Sequence, residues 1–224
     1  MINYFVIIPA YNAEKEIDTL VPRILSVIND PSKIIIIDDG SIDLTAEKAK
    51  RYNIVLLKHK TNRGKGAALK TGFCYAIQQD IHWVFTLDVD NQHDPLSIPL
   101  FLQRLKHHRV DLLLGKRQIH TRKMPFDRYL SNQITSLLVS LLCGIRIYDS
   151  QCGFRLINLN LYKTIDLITD HFETESELLI KYIKRGAQVN QIPISTIYSN
   201  ETSSIKRMYD SYRFVKMFTK QLWN

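Results

Sequence analysis

The stretch YFVIIPAYNAEKEIDTLVPRILSVINDPSKIIIIDDGS, Tyr4 to Ser41, decides the fold. Tyr4 to Pro9 and Ile34 to Ile37 are uninterrupted apolar runs rich in Ile, the pattern of strands buried on both faces of a parallel sheet. Between them, Ile17, Leu20, Val21, Ile24, Leu25 and Ile28 recur at helical spacing over Glu14 to Ile28, which makes a βαβ unit. The alternation continues with a helix over Thr45 to Tyr52, a strand over Ile54 to Leu57, a helix over Gly66 to Gln79 and a strand over Trp83 to Leu87. The predicted class is α/β, with a mostly parallel, doubly wound central sheet flanked by helices.

After Pro95 the spacing predicts helices over Ile98 to His107 and Arg128 to Leu142, a strand over Val110 to Leu114 running into Gly115-Lys116-Arg117, and a loop over Thr121 to Asp127. Helices over Tyr162 to Thr169 and Glu175 to Arg185, a strand over Val189 to Ile194 and a basic helix from about Ser204 complete the reading. Residues 1–203 read as one domain, and 204–224 as an amphipathic helix of that domain or a membrane-surface contact.

Thirty Lys and Arg against 22 Asp and Glu give a net charge of +8, which favours anionic partners. Basic residues concentrate between Arg104 and Arg128 and again from Lys206 to Lys220. No stacking motif or nucleic-acid module accompanies them, so nucleic acid is not the expected partner. Cys74, Cys143 and Cys152 show neither disulfide nor zinc-ligand spacing, which suits a reducing, cytoplasmic setting. No apolar run reaches a membrane-spanning length, the longest candidate being Ile134 to Ile145. There Leu137, Leu138, Leu141, Leu142 and Ile145 form an apolar face, as do Met208, Tyr212, Val215, Phe218 and Leu222 near the C-terminus. An apolar stripe beside Lys and Arg is the composition of an interfacial helix, so a peripheral contact with an anionic membrane surface on its cytoplasmic face is expected. Packing of either stripe onto the core is the competing reading.

In doubly wound sheets ligands bind outside the carboxyl ends of the strands, so the polar residues after each strand carry the chemistry. Asp88-Val89-Asp90, with Gln92 behind it, puts hard oxygen donors at such an end and suits Mg²⁺ or Mn²⁺ shared with a diphosphate. Helix capping is the alternative. Asp38-Asp39-Gly40-Ser41 sits at another strand end, where the acids need donors, while Ser41 or Asp43 can start the helix at Thr45. Asn62-Arg63-Gly64-Lys65-Gly66 lacks the Ser or Thr of an NTPase phosphate loop but still places glycines and Lys65 at a helix N-terminus, which suits an anion.

PAYN at Pro9 to Asn12, DDGS at Asp38 to Ser41, NRGKGAAL at Asn62 to Leu69, LDVDNQHDP at Leu87 to Pro95 and DSQCGFR at Asp149 to Arg155 together resemble the family 2 glycosyltransferases, in particular dolichyl- and polyprenyl-phosphate sugar synthases. The resemblance implies a GT-A-type nucleotide-sugar-binding fold. It further implies that Asp88, Asp90 and Gln92 hold the metal and that Pro9, Tyr11, Asp39, Lys65 and Asp88 bind the donor. Arg117, Arg128 and Ser131 fall in the acceptor-phosphate segment, and Asp90 and Asp149 at the sugar-transfer centre. Ala13 separates PAYN from the acid Glu14, and Lys116 stands where the family has Ser; both depart from its pattern.

The expected reaction is inverting hexose transfer from a GDP- or UDP-sugar to a polyprenyl or dolichyl phosphate. Transfer to a saccharide hydroxyl, or a non-catalytic nucleotide-binding role, is the alternative. A hydroxyl acceptor needs a base, from Asp149 or from Glu173, Glu175 and Glu177, which otherwise read as a solvated helix start.

Overall fold

The computed structural model describes residues 2–118, 126–197 and 207–223. Among the described residues seven strands form one sheet: β1 (Tyr4–Ala10), β2 (Ile34–Asp38), β3 (Val55–Lys58), β4 (Trp83–Thr86), β5 (Leu112–Arg117), β6 (Arg155–Asn158) and β7 (Val189–Ile194). Their order is β3-β2-β1-β4-β6-β5-β7. All neighbours pair parallel except β6, which runs antiparallel to β4 and β5.

The helices are α1 (Glu14–Ile28), α2 (Thr45–Lys50), α3 (Lys65–Gln78), α4 (Ile98–His107), α5 (Phe126–Cys143), α6 (Leu159–Tyr162), α7 (Thr174–Lys184) and α8 (Arg207–Trp223). Successive strand residues point to opposite faces, so Val6, Ile8, Ile34 and Ile36 join Leu20, Ile24 and Phe101 in one core. Ile7, Ile35 and Ile37 join Phe73, Val139, Leu179 and Met217 in the other. Covering both faces is what makes the strand sequences uniformly apolar.

Two expectations are corrected. The strand Arg155–Asn158 was not anticipated, and the helix expected over Tyr162 to Thr169 ends at Tyr162. In the latter segment the N–H groups of Ile168 and Thr169 donate to the Glu177 carboxylate, both at 3.0 Å, so a side chain replaces the helical carbonyl acceptors. Of the loop predicted over Thr121 to Asp127, residues 121–125 lie outside the described residues, as do the side chains of Arg128 and Met208, while α5 begins at Phe126 and so takes in the loop's last two positions.

α5 is amphipathic in the inverse sense. Its inward face carries Asn132, Thr135, Ser136, Val139 and Ser140, all buried, while Leu130, Ile134, Leu137 and Leu141 are exposed. Leu138 and Leu142, expected on the apolar outer face, are half-buried. α8 docks on α7 with Met217 and Gln221 buried, and Tyr212, Val215 and Leu222 face outward.

Candidate active site

Because β6 is antiparallel, the segment before it reaches the same edge of the sheet as the carboxyl ends of the other strands. The chain leaves β1 toward β2 and β3, then returns to place β4 on the other side of β1; this reversal opens the crevice in which such sheets bind ligands. Pro9 is buried at the end of β1, and Tyr11 follows it, exposed.

The first two loops are laced together. Asn12 N–H donates to Ser41 Oγ at 2.9 Å, Ile42 N–H to Asn12 Oδ1 at 3.0 Å, and Ala13 N–H to Thr45 Oγ1 at 2.7 Å. Asp43 caps α2 by accepting from Thr45 N–H at 3.0 Å; Ser41 serves Asn12 instead. Asp39 is buried and turned toward its own chain: it meets His59 Nδ1 at 2.6 Å and accepts from the N–H groups of Arg63 and Gly64 at 2.9 and 2.7 Å. It thereby shapes the loop that delivers Lys65. Gly64 ends that loop at φ +100°, where a Cβ would stand 2.3 Å from the His171 ring, so only glycine fits.

Lys65 begins α3 and points into a pair of carboxylates, with Nζ 2.6 Å from both Asp88 Oδ1 and Glu175 Oε2. Burial works against its charge, but those two carboxylates outweigh it and raise the pKa above the ordinary lysine value. Burial likewise opposes ionisation of Asp88, yet Lys65 and His93, 3.7 Å away, hold its carboxyl well below the usual range. Asp90 goes the other way: burial and the neighbouring Asp88 charge raise it. Gln92 donates its N–H to Asp90 Oδ1 at 3.0 Å.

Two carboxylates that repel each other at the end of a buried strand fit a hard divalent cation such as Mg²⁺ or Mn²⁺. Among the described residues no three His, Cys, Asp or Glu side chains form a complete cage, so a diphosphate and water would supply the remaining ligands. The wall behind Asp88 is Gly153, where a Cβ would lie 2.4 Å from Asp88 Oδ2.

The segment 147–153 is pinned from two sides. On α5, Ser140 Oγ bonds the Ile147 backbone, Asn132 Nδ2 donates to Asp149 Oδ1 at 3.2 Å, and Ser136 Oγ accepts from Ser150 N–H at 3.0 Å. The buried Arg155 guanidinium donates to the carbonyls of Cys152, Ser150 and Glu175. Asp149, 2% exposed, accepts a two-pronged pair from Arg117, Nε at 2.7 Å and Nη2 at 2.9 Å. Burial disfavours this carboxylate, but Arg117 prevails and keeps its pKa below the ordinary value. The structure therefore joins the expected acceptor residue Arg117 to the expected acid Asp149.

Ser131 is exposed on α5, and Arg128 is a described backbone position only. Glu173, Glu175 and Glu177 are buried, which corrects the expected solvated helix start: Glu175 serves Lys65, and Glu177 caps the 168–169 backbone and pairs with Lys181 at 2.7 Å. Their context, apolar residues on both sides in FETESELL, was the available signal. His59 and His93 lie in the polar segments after the third and fourth strands, where the chemistry is expected, and Gly153 lies in DSQCGFR, but the sequence gives none of the three a role of its own.

Arg117 also lines a groove of about 680 Å³ between β5 and α5. Lys116, Arg117 and Arg146 line it together with Ile134, Leu137 and Tyr148.

The profile of Glycosyl transferase family 2 matches residues 5–172. A UDP-N-acetylglucosamine–dolichyl-phosphate N-acetylglucosaminyltransferase from Methanococcus voltae is 31% identical over 87% of this chain and 86% of its own length. A polyprenol monophosphomannose synthase from Mycolicibacterium smegmatis is 25% identical over 97% of this chain and 85% of its own. The crystal structure of glucosyl-3-phosphoglycerate synthase from Mycobacterium tuberculosis with Mn²⁺, UDP and phosphoglyceric acid superposes with a TM-score of 0.80 at 18% identity, covering 98% of this chain and 78% of that one. That likeness establishes the fold, which is of GT-A type. Fold, motif order and relatives converge: the chain is a glycosyltransferase and belongs to glycosyl transferase family 2.

Proposed function

We propose that this enzyme transfers a hexose, with inversion, from a GDP- or UDP-sugar to a polyprenyl or dolichyl phosphate at the cytoplasmic face of a membrane. The observation that carries the reading is the buried Arg117–Asp149 pair at the edge of a groove that mixes cations with aliphatic side chains. Asp149 is committed to Arg117 and held ionised, which makes it a poor base for a sugar hydroxyl. A phosphate acceptor is already anionic and needs none. Arg117 has five N–H donors and spends two on Asp149, so the same guanidinium, fixed in orientation, has donors left to place a phosphate for attack.

On the donor side, Asp88 and Asp90 would hold the cation, and a bound Mg²⁺ or Mn²⁺ would neutralise charge developing on the diphosphate leaving group. Lys65, kept charged beside Asp88, supplies a second positive group to the same oxygens. Pro9, Tyr11 and Asp39 border the nucleoside side, Asp39 acting through the loop it holds. The decisive experiment is a turnover screen of GDP-mannose, UDP-glucose and UDP-N-acetylglucosamine against a polyprenyl phosphate and free saccharides. Loss of activity in chelator and NMR of the product anomer test the metal and the inversion. Preference for a saccharide acceptor, or binding without turnover on any pair, would overturn the proposal.

A further inference from the structure

The outer surface of α5 is built against the rule that large aliphatic side chains face inward. Leu130, Ile134, Leu137 and Leu141 are between 46% and 71% exposed and recur every three or four residues along one line, which Ile145, also exposed, extends. The helix cannot turn this stripe inward, because its opposite face is occupied by Asn132, Ser136 and Ser140 bonded to the 147–150 segment that holds Asp149. A contiguous apolar stripe of this kind marks a surface that is covered in use.

What covers it is indicated by its rim. Lys116 and Arg146 flank the stripe at the mouth of the groove, and both stack on the exposed Tyr148, with Lys116 Nζ 3.8 Å and the Arg146 guanidinium 5.5 Å from the ring centre. Aliphatic stripe, interfacial tyrosine and flanking cations together match the headgroup region of an anionic bilayer. A second copy of the chain would set like-charged rims against each other in a molecule already carrying +8.

We infer that the outward face of α5 is a membrane-docking surface that lies flat on an anionic bilayer and brings the mouth of the Arg117 groove down to the lipid headgroups. The inference rests on the proposed lipid-phosphate acceptor for its purpose, but its physical content is separate. The stripe does not span a bilayer, and no described helix is long and apolar enough to do so.

The test is cosedimentation of the full chain with phosphatidylcholine vesicles, with and without phosphatidylglycerol and with no acceptor lipid present. Turnover is measured in parallel on a short-chain, water-soluble polyprenyl phosphate. Wild type is expected to bind the anionic vesicles and to release them as salt rises. Leu130→Asp and Leu141→Asp, both outside the groove lining, should each reduce the partition coefficient at least about tenfold, the effect of withdrawing one leucine from lipid. Turnover on the soluble acceptor should be unchanged, which also shows that the variants fold. No vesicle binding by wild type, variants that bind equally well, or a wild-type dimer that the substitutions dissociate would each overturn the docking surface. Absence of turnover on every phosphate acceptor with vesicle binding intact would overturn the proposed function and leave the surface standing.

Discussion

Replacing Gly153 by Ala should disable the enzyme without unfolding it. The added Cβ would stand 2.4 Å from one Asp88 carboxylate oxygen and 2.5 Å from the other, so the carboxylate must retreat by about 1 Å to reach ordinary contact at 3.4 Å. Asp88 sits 2.6 Å from Lys65, and the same retreat, if directed away from the ammonium, would stretch that contact beyond hydrogen-bond reach. What moves is the end of a side chain, not backbone, and the φ of Gly153 lies outside the left-handed range, so the cost in stability should stay near 1 kcal/mol. A misplacement of about 1 Å at a group that orients the donor is worth roughly 10²-fold in rate. The assays are kcat on the donor and acceptor found by the screen, Mn²⁺ affinity by electron paramagnetic resonance, and thermal melting. Unchanged kcat and unchanged Mn²⁺ affinity in a folded variant would refute the claim that Gly153 sets the position of Asp88.

Lys65→Met should weaken nucleotide diphosphate binding at least about tenfold in the presence of Mn²⁺ while tightening Mn²⁺ binding without nucleotide, since the ammonium neutralising Asp88 is gone; calorimetry showing both weakened would contradict the assignment. Asp149→Asn should cost about 3–5 kcal/mol at neutral pH by leaving the Arg117 guanidinium buried beside a neutral group. Because the Asp149 pKa is depressed, its stabilisation is fully present above the ordinary value of 3.8 and is lost as pH falls below it. The gap between wild type and variant in denaturant titrations should therefore narrow only in that acid range. Burial and the Asp149 charge push the Cys152 thiol up to about 12, and burial pushes Cys143 up to about 11, so iodoacetamide near pH 8 should label exposed Cys74 first; mass spectrometry finding Cys152 modified in native protein would refute this.

The first four strands and their loops were legible because both signals are local: apolar runs for strands buried on two faces, and acids or glycines at the point where each run stops. Arg155–Asn158 was not, since RLIN is too short to show a period and its place between β4 and β5 is fixed by residues distant in the chain. The acids of α7 read as solvent-facing because charge is a surface signal, whereas Lys65, more than a hundred positions earlier, supplies the partner of Glu175. On α5 the leucines dominated the reading and concealed the ladder of Asn132, Ser136 and Ser140, although its four-residue spacing was visible. Asp149 and Arg117 were each picked out through the family resemblance; that they spend their charges on one another is a tertiary fact.

The antiparallel strand β6 also sets the order in which the molecule can be assembled. The half-sheet β3-β2-β1-β4 is encoded within the first 86 residues and can pair as soon as they leave the ribosome. One edge of β4, however, stays open until residues 155–158 have been made, because β6 is its neighbour on that side. Open strand edges recruit other chains, so between the synthesis of β4 and of β6 the nascent chain carries one such edge that the finished sheet no longer has. The segment that leads into this strand also carries Gly153 up to Asp88, so closing this edge and building the wall behind Asp88 are one event, which α7 with Glu175 and strand β7 then follow.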